Sequence, residues 1–321
     1  MDKWLVGVDL GGTTIKIAFI SKEGEILCKW QIATDTTNNG DNIISDITTA
    51  INKKLEELKV EKNKLLGIGI GAPAFLEIET GYVYQAVNIG WENFDLKTNL
   101  EGHIQLPVVV DNDANVAAIG EMWKGAGVGA KNIICITLGT GVGGGVITNG
   151  KIVHGANGMA GEIGHIKVIP EGGENCNCGG SGCLETVASA NGMVKLALDS
   201  LSVYPQSLLN EKLKKHGVIN SKIIFESAMN GDEYAKKVID QACYYLGLAV
   251  ANIANVLNPE KIIIGGGVSS AGELLLSPIK KHFQKFALKR VFERADLSVA
   301  TLGNDAGVIG GAWLVKNKLI K

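Results

Sequence analysis

Hydrophobic and polar positions near the start of the chain form two apolar runs around a short glycine-rich break. Residues 4–10 and 15–20 are mostly apolar, and Gly-Gly-Thr-Thr at 11–14 separates them. Apolar runs bounded by small turn residues predict β-strands joined in a hairpin. A strand, turn and strand of nearly the same design follow at residues 133–148, with the glycines at 139–145. We therefore predict two related halves, each carrying one glycine-rich hairpin, folded around one site.

Other apolar residues follow buried-strand and helical patterns. Apolar runs too short for a helix predict buried strands at residues 66–70, 108–110 and 261–264. Apolar spacing of three and four residues, or a helical composition, predicts helices at residues 41–58, 114–124, 234–257 and 305–316. The chain's 321 residues exceed the usual size of one hydrophobic core. We expect two domains with a boundary near Asp113.

Composition indicates a globular protein and singles out glycine. Hydrophobic residues make up 46% of the chain and charged residues 20%, which argues against a disordered or fibrous protein. Glycine accounts for 42 of the 321 residues, well above the roughly 7% of an average protein. Because glycines after apolar strands let the backbone come close to a ligand, their clusters indicate binding loops.

Charge and hydropathy argue against two classes of partner. The formal net charge is −2 and lysines and arginines form no block, so the electrostatic footprint of a nucleic-acid binder is missing. No apolar stretch approaches the ~20 residues of a membrane span. The chain also enters its first strand at once, without a targeting leader. We expect a cytoplasmic protein with no nucleic-acid or membrane partner.

Three of the six cysteines, Cys176, Cys178 and Cys183, stand within eight residues of sequence. In a chain without a secretory leader, such crowding indicates metal binding before disulfide formation. His165 would supply the fourth ligand of a closed, tetrahedral structural zinc site. Because the spacing departs from common zinc-finger patterns, reduced and unliganded cysteines remain the alternative. The other cysteines lie among apolar residues and are expected to be buried: Cys28, Cys135 and Cys243.

The second glycine-rich turn matches a dinucleotide-binding pattern in its letters only. Residues 139–144 read Gly-Thr-Gly-Val-Gly-Gly, which fits Gly-x-Gly-x-x-Gly. That fingerprint requires a helix after the glycines, whereas residues 145–153 have the pattern of hairpin strands. The Walker pattern is also absent. Two glycine hairpins that face each other can instead bind phosphates through backbone amides and hydroxyls.

Five motifs, in this order along the chain, carry a resemblance to a known family. They are Asp9-Leu-Gly-Gly-Thr-Thr-Ile-Lys16, Asp111-Asn-Asp-Ala-Asn115, Leu138-Gly-Thr-Gly141, Gly161-Glu-Ile-Gly-His165 and Cys176-Asn-Cys-Gly-Gly-Ser-Gly-Cys-Leu-Glu185. The chain resembles the ROK family of sugar kinases and repressors over nearly its whole length. The resemblance implies an α/β, two-lobed, actin-like ATPase fold, each lobe built on a sheet of ribonuclease H type. We expect a small lobe of residues 1–112 plus about 303–321, and a large lobe of residues 113–302 with the zinc motif.

The resemblance also implies a nucleotide site at the glycine-rich segments. Its ATP-binding positions are Gly11, Gly12, Thr13, Thr14 and Lys16 of the first hairpin, Thr140 and Gly141 of the second, and the later run Gly265, Gly266 and Gly267. Asp9 would hold Mg²⁺ through water. Any one of these runs alone would be interpreted as an ordinary tight turn, so the prediction depends on all three together.

Asp113 follows a predicted strand and precedes a predicted helix, and the resemblance makes it the catalytic base. Phosphoryl transfer to a sugar hydroxyl depends on positioning, charge stabilisation and a base for the hydroxyl proton. A lone aspartate at a helix start is more simply interpreted as an N-cap. The two roles do not exclude each other.

Sugar-binding residues are implied around the metal motif. They are Asn112, Asp113, Glu162, His165 and Glu185, with Gly71 and Asn88 as further candidates. Carboxylates suit this role because each can accept hydrogen bonds from two neighbouring hydroxyls. Since an imidazole that ligates zinc through one nitrogen can donate from the other, His165 would serve both the metal and the sugar.

The activity implied by the resemblance is transfer of the γ-phosphate of ATP to a hexose, with glucose at its 6-hydroxyl as the first expectation. Another hexose, such as N-acetylmannosamine or fructose, stays open because the pocket residues would be shared. A sugar-sensing repressor is the alternative from another class. Those repressors carry a DNA-binding module ahead of the first glycine motif, which here begins at Asp9. The resemblance further implies a homodimer or homotetramer.

Overall fold

The structure of the protein is a computed structural model that describes residues 3–320. Its strands, in chain order, are β1 (Trp4–Leu10), β2 (Thr14–Ile20), β3 (Ile26–Ala33), β4 (Leu65–Ala72), β5 (Phe75–Glu77), β6 (Tyr82–Ala86), β7 (Trp91–Asp95), β8 (Val108–Asn112), β9 (Ile133–Leu138), β10 (Val142–Thr148), β11 (Lys151–Ile152), β12 (Lys261–Gly265) and β13 (Asp296–Val299). Its α-helices are α1 (Ile43–Leu58), α2 (Leu96–Ile104), α3 (Asp113–Lys124), α4 (Glu185–Ala188), α5 (Ala190–Ser200), α6 (Leu208–His216), α7 (Ser221–Met229), α8 (Glu233–Leu257), α9 (Glu273–Phe286), α10 (Lys289–Arg294) and α11 (Ala306–Leu319). None of these helices is long and apolar enough to cross a membrane.

The chain divides into two compact units. The first contains residues 1–129, 145–161 and 301–321, and the second contains residues 130–144 and 162–300. The contacts therefore place residues 113–129 with the first unit, beyond the boundary expected near Asp113. The two lobes as functional bodies stay a prediction.

The main sheet of the first unit has the strand order β3-β2-β1-β4-β8. Strands β1, β2 and β3 are antiparallel neighbours, while β4 runs parallel to both β1 and β8. This mixed order is that of the ribonuclease H type expected for the chain. A separate antiparallel sheet, β5-β6-β7, belongs to the same unit.

Helix α11 lies directly against the backbone of this main sheet. A Cβ atom at Gly7 of β1 would lie 1.8 Å from the carbonyl oxygen of Val308, and one at Gly69 of β4 would lie 1.8 Å from that of Gly311. Side chains at these two positions would therefore push the helix away. Leu5 packs in the same apolar cluster as Val308, on the opposite face from the cluster of α1 and α2.

The second large sheet has the order β11-β10-β9-β12-β13, in which β9, β12 and β13 are parallel. Strand β12 joins the largest apolar core of the second unit through Ile262 and Ile264. Helices α8 and α9 supply much of the rest of that core, for example Leu246 and Phe283. The helix predicted over residues 234–257 is confirmed to within one residue, and Asn258 ends it in a left-handed conformation.

One predicted turn is wrong in its extent. The sequence predicts the second glycine-rich turn over residues 139–145, but β10 already begins at Val142 and contains three of those glycines. The physical reason is visible at Gly145, where a Cβ atom would lie 2.6 Å from the Cβ of Ala118. This glycine therefore permits close packing of the strand on α3, instead of forming a turn.

Glu121 connects the end of α3 to the segment that leads into α11. Its side chain is buried, with 1% of the residue exposed. Its carboxylate accepts backbone hydrogen bonds from Ala126 (2.8 Å), Thr301 (3.2 Å) and Leu302 (2.8 Å). A buried carboxylate is tolerated in a protein when donors of this kind satisfy it.

We expect Glu121→Ala to destabilise the first unit strongly. Three backbone donors would lose their acceptor, and each donor left unsatisfied costs about 1–3 kcal/mol. The expected loss in unfolding free energy is about 2–4 kcal/mol, since water would reach part of the site, and it should be visible in thermal and denaturant melts. Glu56→Ala, at an exposed position of α1, is the matched control and should change stability by less than about 0.5 kcal/mol. Equal stability of the two variants would contradict the role of Glu121.

Candidate active site

The first glycine-rich hairpin is a tight, accessible turn between β1 and β2. Gly11 donates its backbone N–H to the carbonyl of Thr14 at 3.1 Å. The hydroxyl of Thr34 donates to the carbonyl of Gly11 at 2.6 Å, and the amide of Thr34 donates to Thr13. These hydrogen bonds fix the backbone of the turn, and Thr13 is exposed. The predicted phosphate-binding residues of this hairpin are therefore presented together on a fixed backbone.

Asp9 and Lys16 face each other across the same hairpin. The two residues are directly paired in the β1–β2 register, and the Lys16 ammonium lies 3.1 Å from Oδ2 of Asp9. The side chain of Lys16 is 28% exposed and that of Asp9 is 23% exposed, so solvent reaches both. The hairpin thus offers one cation and one carboxylate beside its glycine tip.

Asp113 is the first residue of α3 and is half-buried. The N-cap is its neighbour Asn112, whose side-chain oxygen accepts from the amides of Ala114 (2.9 Å) and Asn115 (3.3 Å). The alternative interpretation of Asp113 as the N-cap is therefore wrong, because Asn112 takes that role. A carboxylate one residue inside a helix lies in the positive potential of its N-terminus.

Gly71 and Asn88 lie beside other candidate residues of the first unit. A Cβ atom at Gly71 would lie 3.3 Å from Cα of Asp113, so Gly71 lets the start of α3 approach β4. Gly71 is itself buried and can offer only its backbone. Asn88 lies against the glycine hairpin, since a Cβ at Gly12 would be 3.3 Å from the Cβ of Asn88.

The second hairpin and the later glycine run lie at the same edge of the second large sheet. Gly265 pairs with Thr137 in the parallel β12–β9 ladder. Gly266 has a positive φ of 82°, and a Cβ atom there would lie 2.4 Å from the carbonyl of Leu138. Thr140, Gly266 and Gly267 are exposed. The structure therefore brings together two of the three predicted phosphate-binding segments.

The start of β10 connects the predicted sugar-binding residues of the second unit. The Glu185 carboxylate accepts the backbone N–H of Val142 at 2.9 Å and lies directly over Gly141. On the carbonyl side, a Cβ at Gly164 would lie 2.1 Å from the oxygen of Val142. The short 3₁₀ turn Ile163–His165 therefore packs against the strand that Glu185 contacts. Glu162, His165 and Glu185 form one polar group around the second hairpin.

Glu162 is the residue of this group whose pKa is altered by its surroundings. Burial raises the pKa of its carboxyl, nearby His165 opposes the shift, and the negative charge of Glu185 adds to it. Its Oε2 lies 3.8 Å from Nε2 of His165. The Nε2 edge of the His165 ring therefore faces the Glu162 carboxylate.

His165, Cys176, Cys178 and Cys183 form a compact cluster in which all four ligand atoms lie within 4.8 Å of one another. Nδ1 of His165 is 3.5 Å from Sγ of Cys176, and the sulfurs of Cys178 and Cys183 are 3.6 Å apart. Ligand atoms of tetrahedral zinc lie roughly 3.5–3.8 Å apart, given bonds of about 2.3 Å to sulfur and about 2.0 Å to nitrogen. The four residues fit zinc in number, type and spacing.

Two pKa shifts and one cation describe the electrostatics of the cluster. Burial raises the pKa of Cys176 to about 12, whereas the backbone N–H of Gly180 lowers that of Cys178. The Lys167 ammonium donates to Sγ of Cys183 at 3.1 Å. Bringing all three cysteines to the thiolate form at this close range needs further positive charge, which a divalent metal would supply.

Sequence reasoning did not single out three polar residues that the structure places beside the site. Asp111 is buried and contacts His154, and Lys167 contacts the cysteine cluster. One signal was present for Asp111: it is the first residue of the motif Asp111-Asn-Asp-Ala-Asn115, directly after the strand predicted at residues 108–110. His154 and Lys167 gave no local signal, because their partners lie 43 and 16 residues away in sequence.

The sheet order, the glycine hairpins and the carboxylate at the start of α3 define an α/β protein of the actin-like ATPase type. The chain belongs to the ROK family, whose model matches residues 5–318.

The relatives of this chain include kinases and a regulator. It is 58% identical to a glucokinase of Halalkalibacterium halodurans over 317 residues, which cover 99% of this chain and 96% of that protein. A crystal structure of a ROK family glucokinase from Streptomyces griseus, in complex with glucose and AMPPNP, matches with a TM-score of 0.81 and 37% identity, over 98% of this chain and 99% of the other. A ROK family transcriptional regulator, described as a homologue of the E. coli MLC protein, matches with a TM-score of 0.88 and 28% identity, over 99% and 79%.

Proposed function

We propose that this chain is an ATP-dependent glucokinase that transfers the γ-phosphate to the 6-hydroxyl of glucose. The observation that carries the proposal is the 58% identity to a glucokinase over 99% of this chain. The geometry supports it, since a half-buried carboxylate follows the N-cap of α3 and two glycine-rich segments share one sheet edge.

On the nucleotide side, backbone amides and threonine hydroxyls would contact the phosphates. Thr13 and Thr140 are exposed at the tips of their hairpins, and glycine neighbours leave the backbone accessible. Asp9 would bind Mg²⁺ through water. Its Oδ2 already contacts Lys16, and its carboxylate is exposed enough for water to reach it. Mg²⁺ would neutralise the charge that develops on the transferred phosphate.

On the sugar side, Glu162 and Glu185 would accept hydrogen bonds from hydroxyls. Nδ1 of His165 points to the cysteine sulfurs, which leaves Nε2 as the donor for a hydroxyl. Zinc bound at the cluster would fix the tautomer and the direction of this ring. Asn112, with Gly71 and Asn88 as lesser candidates, is proposed for further polar contacts to the sugar.

In the transfer step, Asp113 accepts the proton of the 6-hydroxyl as the hydroxyl oxygen bonds to the γ-phosphorus. The bond between that phosphorus and the bridging oxygen breaks, and ADP leaves with the bonding electrons. A carboxylate suits this base because it needs to hold the proton only transiently. The cytoplasmic location, the two lobes and a homodimeric or homotetrameric assembly stay predictions.

The sugar specificity can be tested directly by measuring ADP release with a panel of hexoses. We expect glucose to give the highest kcat/KM, at least about tenfold above N-acetylmannosamine and fructose, equivalent to about 1.4 kcal/mol. 6-Deoxyglucose should inhibit competitively and release no ADP above background, because it lacks the accepting hydroxyl. A higher kcat/KM for another hexose would identify that hexose as the preferred substrate in place of glucose. No ADP release with any hexose would overturn the kinase proposal.

The second candidate function is that of a sugar-sensing regulator. It is favoured by one observation, the TM-score of 0.88 to a ROK family transcriptional regulator. A regulator would bind sugar without releasing ADP, so the same assay separates the two functions.

A further inference from the structure

Asp111 is a buried carboxylate immediately next to the proposed base-bearing segment. It lies at the end of β8, and only 1% of the residue is exposed. Its Oδ1 accepts the backbone N–H of Asn112 at 2.8 Å and the side-chain amide of Asn115 at 3.0 Å. Its Oδ2 lies 2.8 Å from Nε2 of His154. Three polar groups therefore converge on one buried charge.

These partners constrain the segment that carries Asp113 from both sides in sequence. Asn112 directly precedes Asp113, and Asn115 follows it by two residues within the first turn of α3. Asp111 accepts from both, so it fixes how strand β8 passes into the helix. An ionised carboxylate with this little exposure is stable only while its donors remain in place.

His154 is the partner that comes from elsewhere in the chain, and its backbone is itself held in place. Its carbonyl accepts the amide of Ala160 at 3.0 Å, and the amide of the preceding Val153 donates to Val146 at 2.8 Å. Gly155, with a φ of +74°, starts the loop closed by that first bond. The imidazole is therefore directed at Asp111 from a fixed loop, 43 residues away in sequence.

We propose that His154 is a positioning residue for phosphate transfer, which donates from Nε2 to Asp111 and thereby holds Asp113 in its reactive orientation. This inference rests on the proposed kinase function. Because an ionised carboxylate only accepts hydrogen bonds, Nε2 must carry the proton in this contact. Without that donor, the Asp111 carboxylate would keep only its hydrogen bonds from Asn112 and Asn115. These two residues would move to satisfy the buried charge, and the start of α3 would shift with them. Displacements of about 1 Å at a reacting group can cost about a hundredfold in rate.

Two substitutions at His154 separate the donor from the ring. His154→Phe keeps a ring of similar size but cannot donate, whereas His154→Gln places an amide N–H at about the reach of Nε2. We expect kcat for hexose phosphorylation to fall by about 10- to 100-fold in His154→Phe, with KM for ATP changed by less than about twofold. His154→Gln should recover kcat to within about fivefold of the wild type. His103→Phe, at an exposed position of α2 where the ring contacts its own helix, is the control and should leave kcat unchanged.

A second measurement does not depend on activity. Hydrogen exchange of the backbone amides of Asn112, Ala114 and Asn115 should be at least about tenfold faster in His154→Phe than in the wild type and near normal in His154→Gln. If the wild-type protein phosphorylates no hexose, the proposed function fails, while the exchange rates still decide whether His154 holds this segment. Unchanged exchange in His154→Phe would overturn the proposal, whatever happens to kcat. Normal kcat in His154→Phe, or a His154→Gln variant as slow as His154→Phe, would also overturn it.

Discussion

Replacing Asp113 with asparagine is expected to lower kcat by about 10²–10⁴-fold, the usual contribution of a general base. An amide cannot take the proton of a sugar hydroxyl at neutral pH. The helix should still form, because its N-cap is Asn112 and not Asp113. The side chain at position 113 would also keep an oxygen that accepts a hydrogen bond from the sugar. Glucose affinity, measured by calorimetry, should therefore change by no more than a few-fold while turnover collapses.

A matched carboxylate-to-amide change distinguishes loss of the base from a general loss of charge. Asp41 belongs to the same unit and is exposed, so Asp41→Asn should retain normal kcat and KM. Thermal melts of both variants check that each is folded at the assay temperature. Near-normal turnover of Asp113→Asn would overturn its assignment as the base.

Loss of the cysteine cluster should have the second largest effect. We expect the purified protein to contain one zinc ion per chain, and Cys178→Ser to contain none. Metal bound at about a thousandfold above its dissociation constant stabilises a fold by about 4 kcal/mol. The melting temperature of Cys178→Ser should therefore fall by roughly 8–16 °C, at 2–4 °C per kcal/mol for a domain of this size.

The same substitution should also weaken sugar binding. Nδ1 of His165 contacts the cluster, and Nε2 is the proposed donor to a sugar hydroxyl. Without the metal, the ring is no longer held in the orientation that this hydrogen bond needs. We expect glucose affinity to fall about tenfold or more. Loss of a contact around a metal site commonly lowers metal affinity or activity by about 10–100-fold. Cys28→Ser, outside the cluster, is the control and should keep both metal and affinity. Metal-free protein with unchanged sugar affinity would separate the cluster from the sugar site, and wild-type protein without zinc would overturn the metal assignment.

The fold was predictable where periodicity is local. The hairpin of β1 and β2 and the long helix α8 follow directly from apolar spacing and from turn residues at their ends. The start of β10 was not predictable, because glycine in a strand and glycine in a turn look alike in sequence. Gly145 is explained only by α3 packed against it, and that contact is a tertiary one.

The candidate site shows the same division. The cysteine cluster was found because three of its ligands are close in sequence and one residue type is rare. Asp113 and Glu162 required the family resemblance, since single carboxylates are common on protein surfaces. The contact between Asp111 and His154 spans 43 residues, and neither residue has a spacing pattern that predicts its partner.

The close contact of α11 with Gly7 and Gly69 has a consequence for the order in which the protein can form during synthesis. Strand β1 is synthesised well before α11, yet α11 covers one face of its sheet. A Cβ atom at Gly307 of that helix would lie 2.6 Å from Cγ of Asp9, so the helix also supports the proposed metal-binding carboxylate. A nascent chain on the ribosome can therefore build its first hairpin early, but the first unit is completed only after residues 306–319 emerge.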